Sequence, residues 1–143
     1  MTTYDLVIRS ILVTALIWVG IQDFRTREVS NVFTVPLLMV GTAVIVFRIA
    51  RAPYMFVFIF LIALLVTCAA LCGWMGGADW KVLVGLLGLW PMAAYASLIG
   101  AGFVGFILWV WTRDRNVRFP AVSIFAASSI LTFLGELVYL RSV

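Results

Sequence analysis

The sequence predicts an all-α integral membrane protein, a bundle of about six transmembrane helices. Of the 143 residues, 65% are hydrophobic and 11% are charged, whereas soluble domains are about 45–50% apolar and 25% charged. Five long apolar runs are the second observation, because a helix that crosses a bilayer core of about 30 Å needs roughly 20 apolar residues. We expect residues 1–143 to form a single transmembrane domain.

The five runs follow one another with short polar connections. They are Leu6–Gln22, Val32–Phe47, Pro53–Cys72, Val82–Trp111 and Phe119–Leu140. The first run is followed by polar residues with no small-residue cleavage pattern, so we interpret it as a retained helix and not as a signal peptide.

The run Val82–Trp111 is too long for one span, since as a single helix it would extend about 45 Å. Pro91 lies near its middle. Proline removes a backbone donor and clashes with the preceding turn, which predicts a break near Trp90 and Pro91. We expect a short fourth helix and a fifth from about Ala93, which gives six spans. If Pro91 only kinks the helix, there are five.

The basic residues predict the orientation. With six spans, the connections after helices one, three and five share a face and carry Arg25, Arg27, Lys81, Arg113, Arg115 and Arg118, whereas Arg9, Arg48, Arg51 and Arg141 lie opposite. Cytoplasmic loops are enriched in basic residues, so the first face is predicted to be cytoplasmic in a multi-pass protein of the inner (cytoplasmic) membrane. With five spans, the residues around Arg115 change sides and the orientation reverses.

Two further patterns bear on topology and partners. Six spans place Trp18, Trp74, Trp80, Trp109 and Trp111 near one interface, where indole rings concentrate. The net charge of +4 is explained by arginines facing anionic lipid, so a lipid bilayer is the expected partner and no nucleic acid is required.

Two aspartates are the candidate functional residues. Asp23 follows the first predicted helix and Asp79 precedes the fourth, with two spans between them. Both carboxylates therefore emerge on the same side of the membrane with either span count. The chain has only six acidic residues, and ionisable groups at membrane helix ends that can meet indicate a site.

The missing residue types restrict the chemistry. The chain has no histidine and two cysteines, so the ligand set of a hydrolytic zinc site is lacking, and we expect no metal or cofactor. Serine catalysis needs a base beside the nucleophile, and the sequence offers no such arrangement. Two carboxyl groups that share one proton can activate water and protonate a leaving amine.

Both aspartates lie in short polar motifs. The first, Asp23-Phe-Arg-Thr-Arg-Glu-Val-Ser-Asn31, is similar to the first motif of type IV prepilin and preflagellin peptidases. Gly76-Gly77-Ala78-Asp79-Trp80-Lys81 resembles the Gly-x-Gly-Asp-x-Lys signature of these intramembrane aspartic proteases, with Ala78 in place of the second glycine. Phe119-Pro120-Ala121 resembles the proline-bearing start of the final span. The likeness covers essentially the whole chain.

The resemblance implies an aspartic endopeptidase that removes short basic leaders from type IV pilin-like or flagellin-like precursors at the cytoplasmic membrane face. It implies that Asp23 and Asp79 are catalytic. The supporting motif residues are Gly76, Gly77, Ala78, Lys81, Arg25 and Asn31. Larger members carry a cysteine-rich loop and also methylate the new N-terminus. This chain has no such loop, so the resemblance implies peptidase activity alone.

The alternative is a non-enzymatic membrane module or transporter subunit whose two aspartates bind a cation. That class favours acidic groups near the membrane midplane and a repeated fold, and the sequence has neither.

Overall fold

The computed structural model describes residues 3–113 and 120–142, and its regular structure there is entirely helical. Six helices cover these residues: α1 Thr3–Thr26, α2 Asn31–Arg51, α3 Pro53–Leu71, α4 Gly77–Leu89, α5 Pro91–Thr112 and α6 Ala121–Ser142. The predicted all-α fold class is confirmed. Three residues used in the sequence analysis lie outside the described residues. They are Arg115 and Arg118 of the charge comparison, and Phe119 of the segment Phe119-Pro120-Ala121.

Within residues 3–113 and 120–142, four helical segments are long and apolar enough to cross a bilayer, which confirms a multi-pass membrane protein. They are Tyr4–Thr26, Asn31–Arg51, Pro91–Thr112 and Ala121–Ser142. A shorter apolar segment, Phe56–Leu71, lies in α3. Helix α4 has 13 residues and is therefore about 20 Å long, less than the hydrocarbon thickness. The number of membrane crossings and the orientation stay predictions.

The chain leaves helical geometry between α4 and α5. Trp90 follows the last residue of α4 with φ −147° and ψ 79°, and its N–H donates to the Leu86 carbonyl at 2.7 Å. Pro91 then begins α5. Proline suits a first helical position because its missing N–H would have no intrahelical partner there. Whether this junction separates two membrane spans stays a prediction.

Helix α1 continues further than the apolar run Leu6–Gln22 predicted. It ends at Thr26, so Asp23 lies in its last turn and not after it. The Arg27 N–H still donates to the Asp23 carbonyl at 2.9 Å, and Arg27 then takes a left-handed conformation with φ 54°. The prediction failed here because polar residues extend a helix as readily as apolar ones when the backbone bonds continue.

The chain divides into two compact units. The first consists of Met1–Glu28 and Tyr95–Val143, and the second is Val29–Ala94. In the first unit, α1 packs against α6. A Cβ atom added at Gly20 would lie 3.0 Å from the Ala126 Cβ, so the two helices approach closely at this glycine. The single domain over residues 1–143 stays a prediction.

The second unit is built around the contact of α4 with α2 and α3. Gly41 of α2 faces Gly85 of α4. A Cβ atom added at Gly41 would lie 2.5 Å from the Cα of Gly85. Small residues allow two backbones to approach in this way inside a membrane. The seven residues from Val82 to Gly88 are all buried, so the middle of α4 is enclosed on every face, whereas Gly77 at its start is exposed.

Candidate active site

Asp23 is a buried carboxylate at the end of α1. It is 7% exposed and lies in the first unit. Its Oδ2 accepts a hydrogen bond from the backbone N–H of Ser123 at 3.3 Å. Ser123 is the third residue of α6, where backbone N–H groups have no carbonyl partner within the helix. The carboxylate therefore caps α6, and the positive end of that helix favours its negative charge.

A second bond fixes the same crossing of α1 and α6. The Ser123 hydroxyl donates to the Gly20 carbonyl at 2.7 Å. Gly20 and Asp23 are three residues apart and thus share a helix face. An added Cβ at Gly20 would lie 3.3 Å from the Ser123 Cα. The absence of a side chain at Gly20 allows the start of α6 to reach Asp23.

A compact turn follows Asp23. The Thr26 hydroxyl accepts a bond from the Glu28 N–H at 3.3 Å, and Arg27 is left-handed. Ser30 then caps α2, since its hydroxyl accepts a bond from the Val32 N–H at 3.2 Å. Arg25 is an exposed residue of the last turn of α1. Serine supplies the cap because its short side chain reaches the orphan N–H groups of a first turn.

Asp79 lies in the second unit, in the first turn of α4. Gly73 has φ +77°, a conformation that favours glycine, and reverses the chain after α3. Gly76 is the N-cap of α4, and its carbonyl accepts the Trp80 N–H at 3.0 Å. A Cβ added at Gly76 would lie 2.7 Å from Oδ2 of Asp79. The carboxylate thus occupies the space that a side chain at residue 76 would need.

The other motif positions around Asp79 are less crowded. A Cβ added at Gly77 would meet no atom within 4 Å. Ala78 is a half-buried residue of the first turn of α4, where alanine forms helix well. A side chain at residue 76 would therefore displace the Asp79 carboxylate, whereas one at residue 77 would meet open space among the described residues.

Lys81 and Asn31 meet within the second unit. The Lys81 Nζ donates to the Asn31 Oδ1 at 2.7 Å. Asn31 is the first residue of α2 and Lys81 is the fifth of α4. The bond joins the last residue of the first motif to the last residue of the second, two supporting residues that are 50 positions apart.

A third polar contact fixes the start of α4. The indole Nε1 of Trp80 donates to the Thr67 hydroxyl of α3 at 3.0 Å, and that hydroxyl donates to the Ala63 carbonyl at 2.7 Å. Trp80 immediately follows Asp79, so α3 holds the turn that carries the carboxylate. Within the described ranges, no three His, Cys, Asp or Glu residues are grouped as metal ligands would be.

The two aspartates belong to different units, so their pairing stays a prediction. Sequence reasoning missed Ser123, Gly20 and Thr67. Ser123 and Asp23 are 100 positions apart, and neither a small residue nor a lone hydroxyl on an apolar helix has a distinctive local pattern. Thr67 has a weak local signal, because it is a polar residue within the apolar run that precedes Trp80.

A protein-family model described as the type IV leader peptidase family matches residues 10–135 of the chain. The match includes both aspartates and both motif segments. No curated protein and no solved structure matches the chain significantly.

Proposed function

The chain belongs to the type IV leader peptidase family, and on that basis we propose that it is a membrane aspartic endopeptidase. Its proposed substrates are type IV pilin-like or flagellin-like precursors, from which it removes the short basic leader. Membership of the family implies a peptidase. The substrate, the two-aspartate mechanism and cleavage at the cytoplasmic face are the parts that we propose.

In the proposed mechanism, Asp23 and Asp79 act on one peptide bond. One ionised carboxylate takes a proton from water as the water oxygen attacks the scissile carbonyl carbon. The other carboxyl group, which is protonated, then gives its proton to the leaving nitrogen as the carbon–nitrogen bond breaks. A new carboxyl end and a new amino end result, and the proton count is unchanged over the cycle.

The hydrogen bond from Lys81 to Asn31 is the observation that carries the proposal. It joins the segment that contains Asp79 to the residue that closes the segment containing Asp23. Asp23 precedes Asn31 by only eight residues. A contact between the two motif segments is what a shared site requires, whereas two unrelated loop charges need none.

The form of α4 also favours cleavage at an interface. The helix is short, buried and begins at a turn that carries Asp79. A peptide bond is accessible to water just before the substrate enters lipid, where its backbone would be locked in helical hydrogen bonds. The basic residues beside both aspartates favour the cytoplasmic face of the inner membrane as the place of cleavage.

A cleavage assay tests the proposal. The purified protein in detergent or membranes is incubated with a pilin-like precursor from the same genome, beside Asp23→Asn and Asp79→Asn. We expect a cut at the leader boundary that both substitutions abolish. If wild-type protein leaves several precursors intact, and either substitution changes the affinity for a cation, the cation-binding membrane module becomes the better account.

A further inference from the structure

The contacts of Ser123 suggest a role that neither motif contains. Ser123 contacts Asp23 through its backbone and Gly20 through its side chain, and both partners lie on one face of α1. Among the described residues, the N–H of Ser123 is the hydrogen-bond donor that meets the Asp23 carboxylate, so this contact defines its orientation. A buried carboxylate needs such a donor, since an unsatisfied one is costly.

We propose that Ser123 is the positioning residue for Asp23. It sets the rotamer of the carboxylate through the N–H bond, and it sets the spacing of α1 and α6 through the hydroxyl bond. This inference rests on the proposed function, in which Asp23 is catalytic. It makes the start of α6 part of the machinery, although α6 carries neither aspartate.

The two hydrogen bonds of Ser123 have different roles. The hydroxyl bond at 2.7 Å is short and holds α6 to the Gly20 carbonyl, one turn before Asp23. The N–H bond at 3.3 Å is longer and becomes ineffective when α6 moves away by a fraction of an ångström. Removal of the hydroxyl therefore loosens the N–H bond indirectly. A proline at residue 123 removes both donors at once.

Packing makes the arrangement specific. Gly20 admits the start of α6 because an added Cβ would lie 3.0 Å from the Ala126 Cβ. Pro120 precedes α6 and its carbonyl accepts the Ile124 N–H at 3.4 Å, so the first turn of α6 is formed at Ser123. The N–H of Ser123 is thus fixed in direction before it meets the carboxylate.

The variants Ser123→Ala and Ser123→Pro test the inference, with Ser129→Ala as the matched control. Ser129 lies on the same helix and is buried, but its hydroxyl has no hydrogen-bond partner among the described residues. We expect Ser123→Ala to lower kcat about tenfold with KM within about twofold, and Ser123→Pro to lower kcat about 100-fold. Ser129→Ala should leave both constants unchanged.

A second readout requires no substrate. The infrared difference between each protein and its own Asp23→Asn variant isolates the absorption of the Asp23 carboxyl group. We expect Ser123→Ala to broaden this band and Ser123→Pro to shift it, because the carboxylate loses a fixed donor. Ser129→Ala should leave the band in place.

The results separate the two proposals. If the band and kcat stay unchanged in both Ser123 variants, Ser123 is not a positioning residue. The same conclusion holds if the fall in kcat is fully explained by the fraction of unfolded protein, as judged from the melting temperature of each variant. If the band changes as expected while wild-type protein cleaves no precursor, Ser123 does orient Asp23 and the proposed function is wrong. If Ser123→Pro does not fold, the band and kcat of Ser123→Ala decide.

Discussion

The two aspartates are held in opposite ways. Asp23 lies in the last turn of α1 and is fixed by α6, through a residue 100 positions away. Asp79 lies in the first turn of α4, and its carboxylate fills the space beside Gly76, three positions away. The Asp23 carboxylate therefore receives a donor from a distant helix, whereas the space beside the Asp79 carboxylate is set within one turn.

This difference explains why the two motifs differ in form. Around Asp79 the sequence itself must provide room, and it does so with glycine at the N-cap. Around Asp23 the room is provided by Gly20 and the donor by Ser123, neither of which belongs to the first motif. A substitution at Gly76 should therefore act on Asp79 within one turn, whereas a substitution at Ser123 should act on Asp23 from a distant helix.

The largest effect is expected when either carboxylate is removed. This experiment tests whether the two aspartates, although held by different contacts, act in one reaction. Asp23→Asn and Asp79→Asn should each lower kcat at least about 1,000-fold, and the double variant should be no worse than either, because groups that act as a unit are not additive. Single-turnover cleavage measures this.

Glu28→Gln is the control for that experiment, since it removes an exposed carboxylate close to Asp23 in the chain. We expect it to retain most of the activity. Losses that multiply in the double variant would show that the two aspartates act independently.

Gly76→Ala should have the next largest effect. The new methyl group would lie 2.7 Å from Oδ2 of Asp79 and would displace that carboxylate. We expect kcat to fall about 10- to 100-fold. Gly77→Ala should have a clearly smaller effect, because its methyl group meets no atom within 4 Å. Equal losses in the two variants would contradict the local support of Asp79.

The contact between Lys81 and Asn31 should contribute less. We expect Lys81→Ala and Asn31→Ala each to lower kcat/KM about fivefold, with the double variant similar to the singles, since both remove the same bond of 2.7 Å. Arg25→Ala, which changes an exposed residue of the first motif, should combine additively with Lys81→Ala. Additive losses for Lys81 and Asn31 would show that the bond does not couple the two segments.

The smallest effect is expected at the other end of α1. Arg9 pairs with Glu136 of α6, and both side chains are about a quarter exposed. Arg9 lies about 21 Å along the helix from Asp23. Arg9→Gln or Glu136→Gln should lower stability by no more than about 1 kcal/mol, as measured by thermal unfolding in detergent. A large loss of kcat in either variant would contradict the proposal that Asp23 is positioned at its own end of α1, by Ser123.

Local patterns in the sequence predicted much of the fold. The apolar runs predicted the all-α membrane class, because a bilayer requires about 20 apolar residues for each span. The predicted helix ends were less accurate, because the residues there are polar. The run Leu6–Gln22 ended too early, since backbone bonds carry α1 on to Thr26. Gly76 and Asp79 were predicted from the resemblance of one short motif, and their contact is local because they lie three positions apart.

Long-range contacts were beyond the sequence. Lys81 and Asn31 were both candidates, yet only the packing of α2 on α4 shows that they bond. Ser123 was no candidate at all, because it has the same local pattern as Ser129 of the same apolar helix, whose hydroxyl is unpaired in the part of the chain that the structure describes.

The sequence by itself determined which residue types this membrane protein offers for chemistry: it has no histidine, and two of its aspartates lie in segments that resemble type IV leader peptidase motifs. Composition and spacing carry that information because they depend on residue types and local turns. Tertiary structure alone decided which donor holds Asp23 and which oxygen receives Lys81. Those pairings depend on how two helices cross, and a helix crossing is fixed by packing between distant residues.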